Sequence, residues 1–340
     1  MGWCILVSFN MTNPEMIKRI RDVWKRGESN EYRGRSRKDT QSIKRDLMGG
    51  AIALLHPKTL RIFEEISIRT PNGMVFNQEM GLLVGCDHWV KIVKGGKIVA
   101  TLDNPMFNDI HGLSPSLDGN LWVCSTGIDA LIKIDPKNPE KILDSWLATE
   151  NSYTDSPIGE RVVQRDICHQ GVEYSTLFHT THINSLLERE PGKILATLFH
   201  QGELVEIDLK TGETTCLVRE MKNPHSVHRT SFGFICSDTR NGRIVLLNKK
   251  LEQFGEISTA YLWIQDAIEL PNKQFLVVDN QVGKLVCIDM KGREQAVWNF
   301  GSRNRNVGAL LLVSFKEARE ILGNILMNTL INTSFLGGRI

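Results

Sequence analysis

The chain has 340 residues, a hydrophobic fraction of 41%, a charged fraction of 24% and a formal net charge of +2. These values are ordinary for a soluble globular protein, and the chain can bury a large core without disulfides or a structural metal. The small net charge argues against nucleic acid as a partner, and no apolar run is long enough to cross a membrane.

Cysteine usage indicates the cellular compartment. The seven cysteines form no CxxC motif and are odd in number, and several fall inside predicted strands. Such cysteines are typical of buried free thiols in a reducing compartment. The start of the chain also lacks the length and basic residues of a signal peptide. We therefore expect a cytoplasmic protein.

The N-terminal region is predicted to form three strands, at 3–9, 50–55 and 60–66, interrupted by an insertion at 12–48. Asn13-Pro14 can begin a helix in the insertion, and apolar residues follow at helical spacing. The insertion carries eleven Lys or Arg residues against six Asp or Glu. It fits an anionic partner, such as a phosphorylated ligand or RNA, or a solvated surface segment. No aromatic residues interleave with the basic run, which disfavours base stacking.

A unit of about 40 residues recurs through the rest of the chain. Four copies end in closely similar strands, at 130–135, 203–208, 243–248 and 284–289, whose last residues lie 73, 40 and 41 positions apart. Each copy also contains an earlier, very apolar strand, as expected for strands buried between neighbouring sheets. A period of about 40 residues made of short strands is typical of a β-propeller blade.

The number of blades follows from a short motif of a polar, a small and an aliphatic residue in each unit. Its copies are 39, 73, 41 and 41 residues apart, and 41 more lead to Val307. Six positions predict six blades, and the spacing of 73 is one blade plus an insertion at 146–180, which could form a lid. The polar copies are Asn72-Gly-Met, His111-Gly-Leu, Asn184-Ser-Leu, His225-Ser-Val and Asp266-Ala-Ile.

The sixth blade is predicted to join the two ends of the chain. The strand near 307–313 needs three partners, and the N-terminal strands can supply them, which closes the ring and removes exposed strand edges. We therefore predict an all-β fold, a six-bladed β-propeller over residues 1–315. Residues 316–340 are a tail with a short amphipathic helix, which packs on the propeller or contributes to a homodimer.

Polar side chains are predicted to meet at the mouth of the central channel, because the innermost strand of each blade lines it. Strand alternation adds a further histidine, two residues before Asn184. Imidazoles with one carboxylate suit a divalent transition metal, Fe, Zn, Cu or Mn, better than calcium, which prefers oxygen ligands. A wet, polar channel without metal would show the same residue types. The predicted ligands are His111, His182, His225, Asp266, Asn72 and Asn184.

Two further histidines are candidates for proton transfer. His228 lies three residues after His225, deeper along the same strand, and His169 lies in the insertion at 146–180. Any of four arginines near strand ends could contact a carboxylate or phosphate: Arg229, Arg240, Arg303 and Arg305.

These residues favour a metal-dependent enzyme that acts on a small polar metabolite. Lyase or hydrolase chemistry is preferred, with an oxidase as the other option, since the sequence contains no redox cofactor motif. The alternative is a non-catalytic scaffold that binds a protein or an anionic partner through the basic insertion. Propellers support both kinds of function, so the fold does not decide between them.

The motifs resemble those of two propeller families. Asn72-Gly-Met and Asp266-Ala-Ile are similar to motifs of SMP-30/gluconolactonase-like six-bladed propellers, in which an Asn and a later Asp hold a divalent metal. His111 and His225 depart from that pattern and point to a softer metal than calcium. A closer resemblance is to the little-characterised DUF4915-like propeller family, which implies the fold but no established reaction. It rests on the segments 108–111, 181–186, 223–228 and 237–244.

Overall fold

The computed structural model describes residues 2–11, 49–57, 59–60, 62–172, 174–300 and 305–323. Six four-stranded antiparallel sheets form a ring, so the predicted all-β, six-bladed β-propeller is confirmed. The helix predicted in 12–48 and the tail after residue 323 lie outside the described residues. No helix in the described part of the chain is long and apolar enough to cross a membrane.

The first three blades follow one another in the chain, and each runs outward from the strand nearest the axis. Blade 1 consists of β4 (Pro71–Asn77), β5 (Gly81–Cys86), β6 (Trp89–Lys94) and β7 (Lys97–Leu102). Blade 2 consists of β8 (Ile110–Pro115), β9 (Leu121–Ser125), β10 (Ala130–Asp135) and β11 (Asn138–Leu147). Blade 3 consists of β14 (Ile183–Glu190), β15 (Lys193–Leu198), β16 (Glu203–Asp208) and β17 (Thr214–Val218).

The other three blades complete the ring. Blade 4 consists of β18 (His225–Arg229), β19 (Gly233–Asp238), β20 (Arg243–Asn248) and β21 (Gln253–Ser258). Blade 5 consists of β22 (Ile264–Glu269), β23 (Phe275–Asp279), β24 (Lys284–Ile288) and β25 (Glu294–Asn299). Blade 6 consists of β26 (Arg305–Ser314), β1 (Trp3–Met11), β2 (Gly49–Leu55) and β3 (Ile62–Ser67).

Blade 6 closes the ring with strands from both ends of the chain, as the sequence predicts. β1 pairs antiparallel with β26 on one side and β2 on the other, so that Leu6 lies opposite both Leu311 and Leu54. Leu6 is fully buried, as are its neighbours in β1. The closing strand is therefore part of the hydrophobic core, and burial of apolar surface stabilises the closed ring.

The core lies between neighbouring blades. Every residue of β9, β19 and β23, the second strands of their blades, is buried. Each of these strands packs against a blade on either side, which explains why their sequences are continuous apolar runs. Leu204 of blade 3 and Phe234 of blade 4, for example, belong to one apolar cluster.

Each of the six junctions between blades is also bridged by a hydrogen bond from a side chain to a main-chain carbonyl. The acceptor lies at or near the start of the next innermost strand, and the distances are 2.7 to 3.4 Å. We call these bonds the junction bonds. They are Ser8 Oγ to Asn72 O, Asn72 Nδ2 to Ile110 O, Thr126 Oγ1 to Ile183 O, Asn184 Nδ2 to Pro224 O, Thr239 Oγ1 to Ile264 O and Asn280 Nδ2 to Val307 O.

A short helix, α1 (Phe315–Leu322), follows the last strand. It begins with a capping box, in which the Ser314 hydroxyl accepts a hydrogen bond from Glu317 N and the Glu317 carboxylate accepts one from Ser314 N. The buried face of the helix packs against blades 1 and 6. The described start of the predicted tail therefore lies on the propeller, with Ala318, Ile321 and Leu322 buried.

Candidate functional site

The ring encloses a central cavity of about 1230 Å³. All six innermost strands run in the same direction, and the end at which they begin is the mouth of the channel. His182 does not line the cavity: it precedes β14, with a φ of 46°, so the strand alternation used to place it does not apply. The other predicted ligands do line it, namely Asn72, His111, Asn184, His225 and Asp266.

A histidine–aspartate pair lies inside the cavity, at the junction of blades 4 and 5. His228 Nε2 is 2.7 Å from Asp266 Oδ1. The Asp266 carboxylate is buried, and its two oxygens also accept hydrogen bonds from Ala267 N, at 2.8 Å, and Leu310 N, at 2.7 Å. The His228 side chain, which lines the cavity, is 32% exposed. A fixed carboxylate therefore orients an imidazole that solutes can reach.

Each member of this pair favours the charged form of the other. Burial lowers the pKa of His228, but the Asp266 carboxylate outweighs this effect and raises the pKa above its ordinary value of 6.5. Burial raises the pKa of Asp266, and the contacts with His228, Leu310 N and the Ser226 hydroxyl outweigh it and lower that pKa. An imidazole that titrates above 6.5 suits proton transfer near neutral pH.

His225 presents a different imidazole at the mouth. Its Nδ1 is 2.8 Å from Thr239 Oγ1 and 2.9 Å from Asn223 O. The Thr239 hydroxyl donates its hydrogen to Ile264 O, so both neighbours of Nδ1 accept and we assign the hydrogen to Nδ1. Burial lowers the pKa of His225 to about 4, so the ring is neutral near pH 7 and Nε2 carries a lone pair.

Three imidazoles form a series from the mouth into the wall. The His111 ring meets the His182 ring edge-on, with centroids 5.1 Å apart, and His111 Nε2 is 3.5 Å from Asp109 Oδ2. His182 stacks on His179, and their Nδ1 atoms are 2.7 Å apart. Burial lowers the pKa of His179 to about 4 and that of His182 well below 6.5. Of the three, only His111 lines the cavity.

The segment between β11 and β14 includes a small hairpin, β12 (Asp155–Ser156) and β13 (Gly159–Glu160), and is anchored to blade 2 by Asp129. The fully buried Asp129 carboxylate accepts hydrogen bonds from the main-chain N–H groups of 180–182 and pairs with Arg161 Nη1 at 3.0 Å. None of the described residues between 148 and 181 lines the cavity. Closure of this segment over the mouth stays a prediction.

His169 lies in the same segment and is 2% exposed. Its Nδ1 is 2.9 Å from the Tyr174 hydroxyl and its Nε2 is 2.7 Å from Gln164 O, so both ring nitrogens are engaged outside the channel. Burial lowers its pKa. The catalytic role predicted for His169 therefore has no supporting contact with the cavity, in contrast to that of His228.

The amides of Asn72 and Asn184 make junction bonds. Asn72 Oδ1 accepts a hydrogen bond of 2.6 Å from Asn10 Nδ2, and Asn184 Oδ1 accepts one of 2.7 Å from Thr197 Oγ1. Both ends of each amide are therefore engaged within the wall of the ring. These contacts give the two asparagines a structural role at the repeat position where the sequence predicts metal ligands.

The predicted metal ligands do not form a site as arranged. Among the residues that the structure describes, no three His, Cys, Asp or Glu side chains are grouped to hold a metal ion. His111 and His225 belong to blades 2 and 4, on either side of blade 3, and Asp266 is engaged with His228. The residues present do not fit a resident transition metal in this arrangement, and metal binding stays a prediction.

An aromatic residue at the mouth was not identified from the sequence. The Trp263 ring lines the cavity 6.2 Å from that of His225, and the Arg240 guanidinium lies 5.4 Å from the Trp263 ring centroid. The sequence indicated Arg240 only as one of four arginines. Trp263 directly precedes the first residue of an innermost strand, as His182 does. An aromatic side chain at the same position in two repeats is a sequence signal that could have identified Trp263.

No family model matches the chain, and no curated protein sequence is significantly similar to it. The chain is similar in structure to a protein of unknown function from Bacteroides caccae, with a TM-score of 0.57, 13% identity, and coverage of 92% of this chain and 99% of that one. A nidogen/laminin complex matches with a TM-score of 0.55 and 10% identity over 77% and 94% of the two chains. Virginiamycin B lyase from Staphylococcus aureus matches with a TM-score of 0.49 and 12% identity over 69% and 71%. The first two likenesses support the fold, and none of the three identifies either family that the motifs resemble.

Proposed function

We propose that this protein is an enzyme that acts on a small polar molecule inside the channel, with His228 as general base and acid. The observation that carries the proposal is the His228–Asp266 pair, in which a buried carboxylate holds an imidazole that lines a cavity of about 1230 Å³. An imidazole with a perturbed pKa in a large concave site is a typical proton carrier.

Asp266 acts as the positioning residue of the pair. Its carboxylate is held by Leu310 N and Ala267 N and accepts a hydrogen bond from His228 Nε2–H. His228 Nδ1 is then the atom that takes up and returns a proton. The carboxylate stabilises the imidazolium that forms, which is the physical cause of the raised pKa of His228.

Lyase-type and hydrolase-type reactions both fit a single base of this kind. In an elimination, Nδ1 removes a proton from a substrate carbon, the C–H electron pair forms a double bond, and the leaving group departs with the proton from the imidazolium. In a hydrolysis, Nδ1 removes a proton from the attacking water and returns it to the leaving group. Neither reaction needs an oxidant, and no step is assigned to a metal.

A screen for turnover tests the proposal. Purified protein is incubated with a panel of polar metabolites, including hydroxy acids, lactones and sugar phosphates, and their loss is followed by mass spectrometry. We expect conversion of at least one compound, with a rate about 100- to 10,000-fold lower in His228→Gln.

The matched control is His200→Gln, because His200 is an exposed histidine of blade 3 and does not line the cavity. Its rate should stay close to that of the unchanged protein. Failure of the unchanged protein to convert any compound, or equal rates for the two variants, contradicts the proposal.

A further inference from the structure

The mouth of the channel carries an arginine that forms no ion pair with the acidic residues that the structure describes. Arg240 lies in the turn between β19 and β20 and lines the cavity. No Asp or Glu among the described residues forms an ion pair with it, whereas Arg243, three residues later, pairs with both Asp238 and Glu256. Its guanidinium lies against the face of Trp263 instead. Stacking of this kind holds the charge in place and leaves the N–H donors available.

A hydrogen-bond acceptor lies beside this cation. The rings of Trp263 and His225 are 6.2 Å apart, and both residues line the cavity. His225 Nδ1 is held by Thr239 and Asn223, so the opposite edge of the ring carries Nε2, which has no hydrogen-bond partner among the described residues. Because both neighbours of Nδ1 accept hydrogen bonds, the ring hydrogen lies on Nδ1, and Nε2 is the nitrogen that can accept a hydrogen bond.

We propose that Arg240, Trp263 and His225 bind the anionic end of the substrate, a carboxylate or phosphate that carries a neighbouring hydroxyl. Arg240 donates to the anion and His225 Nε2 accepts from the hydroxyl. The acidic residues of the mouth, Asp87 and Asp109, lie on the side of blades 1 and 2, away from Arg240 on blade 4.

The same arrangement sets the length of the substrate. His225 and His228 are three residues apart on β18, whose pairing is irregular directly after His225, so the anion site and the proton carrier are separated by at most about 10 Å along the strand. A molecule that reaches both is a small hydroxylated acid or phosphate several bonds long, which a cavity of about 1230 Å³ accommodates. That the bound anion belongs to a substrate rests on the function proposed above.

Binding of simple anions tests the site without requiring turnover. Inorganic phosphate, malate and succinate are titrated into the full chain, and the NMR signals of the arginine Nε–H and tryptophan Nε1–H groups are followed. Malate should bind more tightly than succinate, because only malate has a hydroxyl for His225. Tighter binding of phosphate than of both acids would identify a phosphate as the anion.

Arg240→Gln should weaken binding about ten- to hundredfold, as expected for loss of a charged hydrogen bond, and Arg240→Lys should weaken it less. The matched control is Arg229→Gln: Arg229 also lines the cavity over an aromatic ring, Phe234, but at the far end of β18. Equal weakening by Arg240→Gln and Arg229→Gln, or no binding, overturns the inference. Turnover lost in His228→Gln but unaffected in Arg240→Gln would overturn this inference alone, whereas anion binding without turnover would overturn only the proposed function.

Discussion

Asp266 and Asp129 are both buried aspartates paired with a basic side chain, yet their surroundings differ. One Asp266 oxygen contacts His228, whose imidazole lines the channel. The Asp129 carboxylate is surrounded by main-chain N–H groups and the guanidinium of Arg161, whose side chain is 9% exposed. The partner of Asp266 can gain and lose a proton in contact with solutes, whereas the partner of Asp129 stays charged. Access to the cavity and the type of partner therefore separate the carboxylate for which we propose a function from the one that anchors a surface segment.

The histidines repeat this contrast. His228 lines the cavity and has a raised pKa, because a carboxylate contacts it. His179 and His182 contact each other within the wall, and burial lowers both pKa values. Histidine content alone therefore says little about the position of an active site. The partner of each imidazole decides whether it changes charge near neutral pH.

The largest effect on stability is expected from Asp129→Ala. The substitution leaves the Arg161 guanidinium buried without its counter-charge and removes the acceptor of three main-chain N–H groups. We expect the free energy of unfolding to fall by about 3–5 kcal/mol, measured by urea denaturation. Asp118→Ala is the control, because the Asp118 side chain is 53% exposed in its pair with Lys133, and a solvent-screened carboxylate should contribute less than about 1 kcal/mol. Equal losses in the two variants would remove the distinction between the two kinds of carboxylate.

A smaller loss of stability is expected from Asn72→Ala. This substitution tests whether a polar residue that lines the channel has a structural role. If the junction bond of Asn72 stabilises the fold, removal of the amide leaves Ile110 O without that donor and lowers the free energy of unfolding by about 1–3 kcal/mol. Asn272→Ala, in an exposed turn, provides the reference. Unchanged stability of Asn72→Ala would argue that the junction bond does not stabilise the propeller and that the amide instead contacts molecules in the channel.

The ring could be predicted from the sequence because repeats of similar length place apolar strands and polar residues in phase. The site could not be predicted to the same degree, because irregularities in strand pairing shift the phase by one residue. In blade 4 the irregularity follows His225, and in blade 5 it precedes Asp266. The two residues hold the same position in their motifs, but His225 contacts Thr239 at the mouth and Asp266 contacts His228 deeper in the channel. A shift of one residue changes the direction of a side chain, and short motifs do not encode it.

Titration of the imidazoles tests whether His228 and His225 differ in pKa as their surroundings predict. By NMR, His228 should titrate above 6.5 and His225 near 4. Because the pKa of His228 is higher in the folded than in the unfolded protein, protonation of His228 stabilises the fold. This contribution is fully present at pH values below the unfolded pKa of about 6.5 and is lost as the pH rises through the folded pKa. In Asp266→Asn the His228 pKa should fall below 6.5, because burial remains without the carboxylate. An unchanged pKa in that variant would show that Asp266 does not tune the base.

The smallest effect is expected for metal content. The sequence predicts a transition metal held by six residues at the channel mouth, His111 and His225 among them. The described residues offer no group of three His, Cys, Asp or Glu ligands, and His225 Nε2 alone would hold a metal weakly. We expect protein purified without a His tag to retain well under one equivalent of Fe, Zn, Cu or Mn after dialysis, measured by elemental analysis. The His111→Ala/His225→Ala variant should give the same result. Near-stoichiometric metal that is lost in the variant would show that the residues at the mouth rearrange around an ion. It would contradict the proposal that His228 acts without a metal.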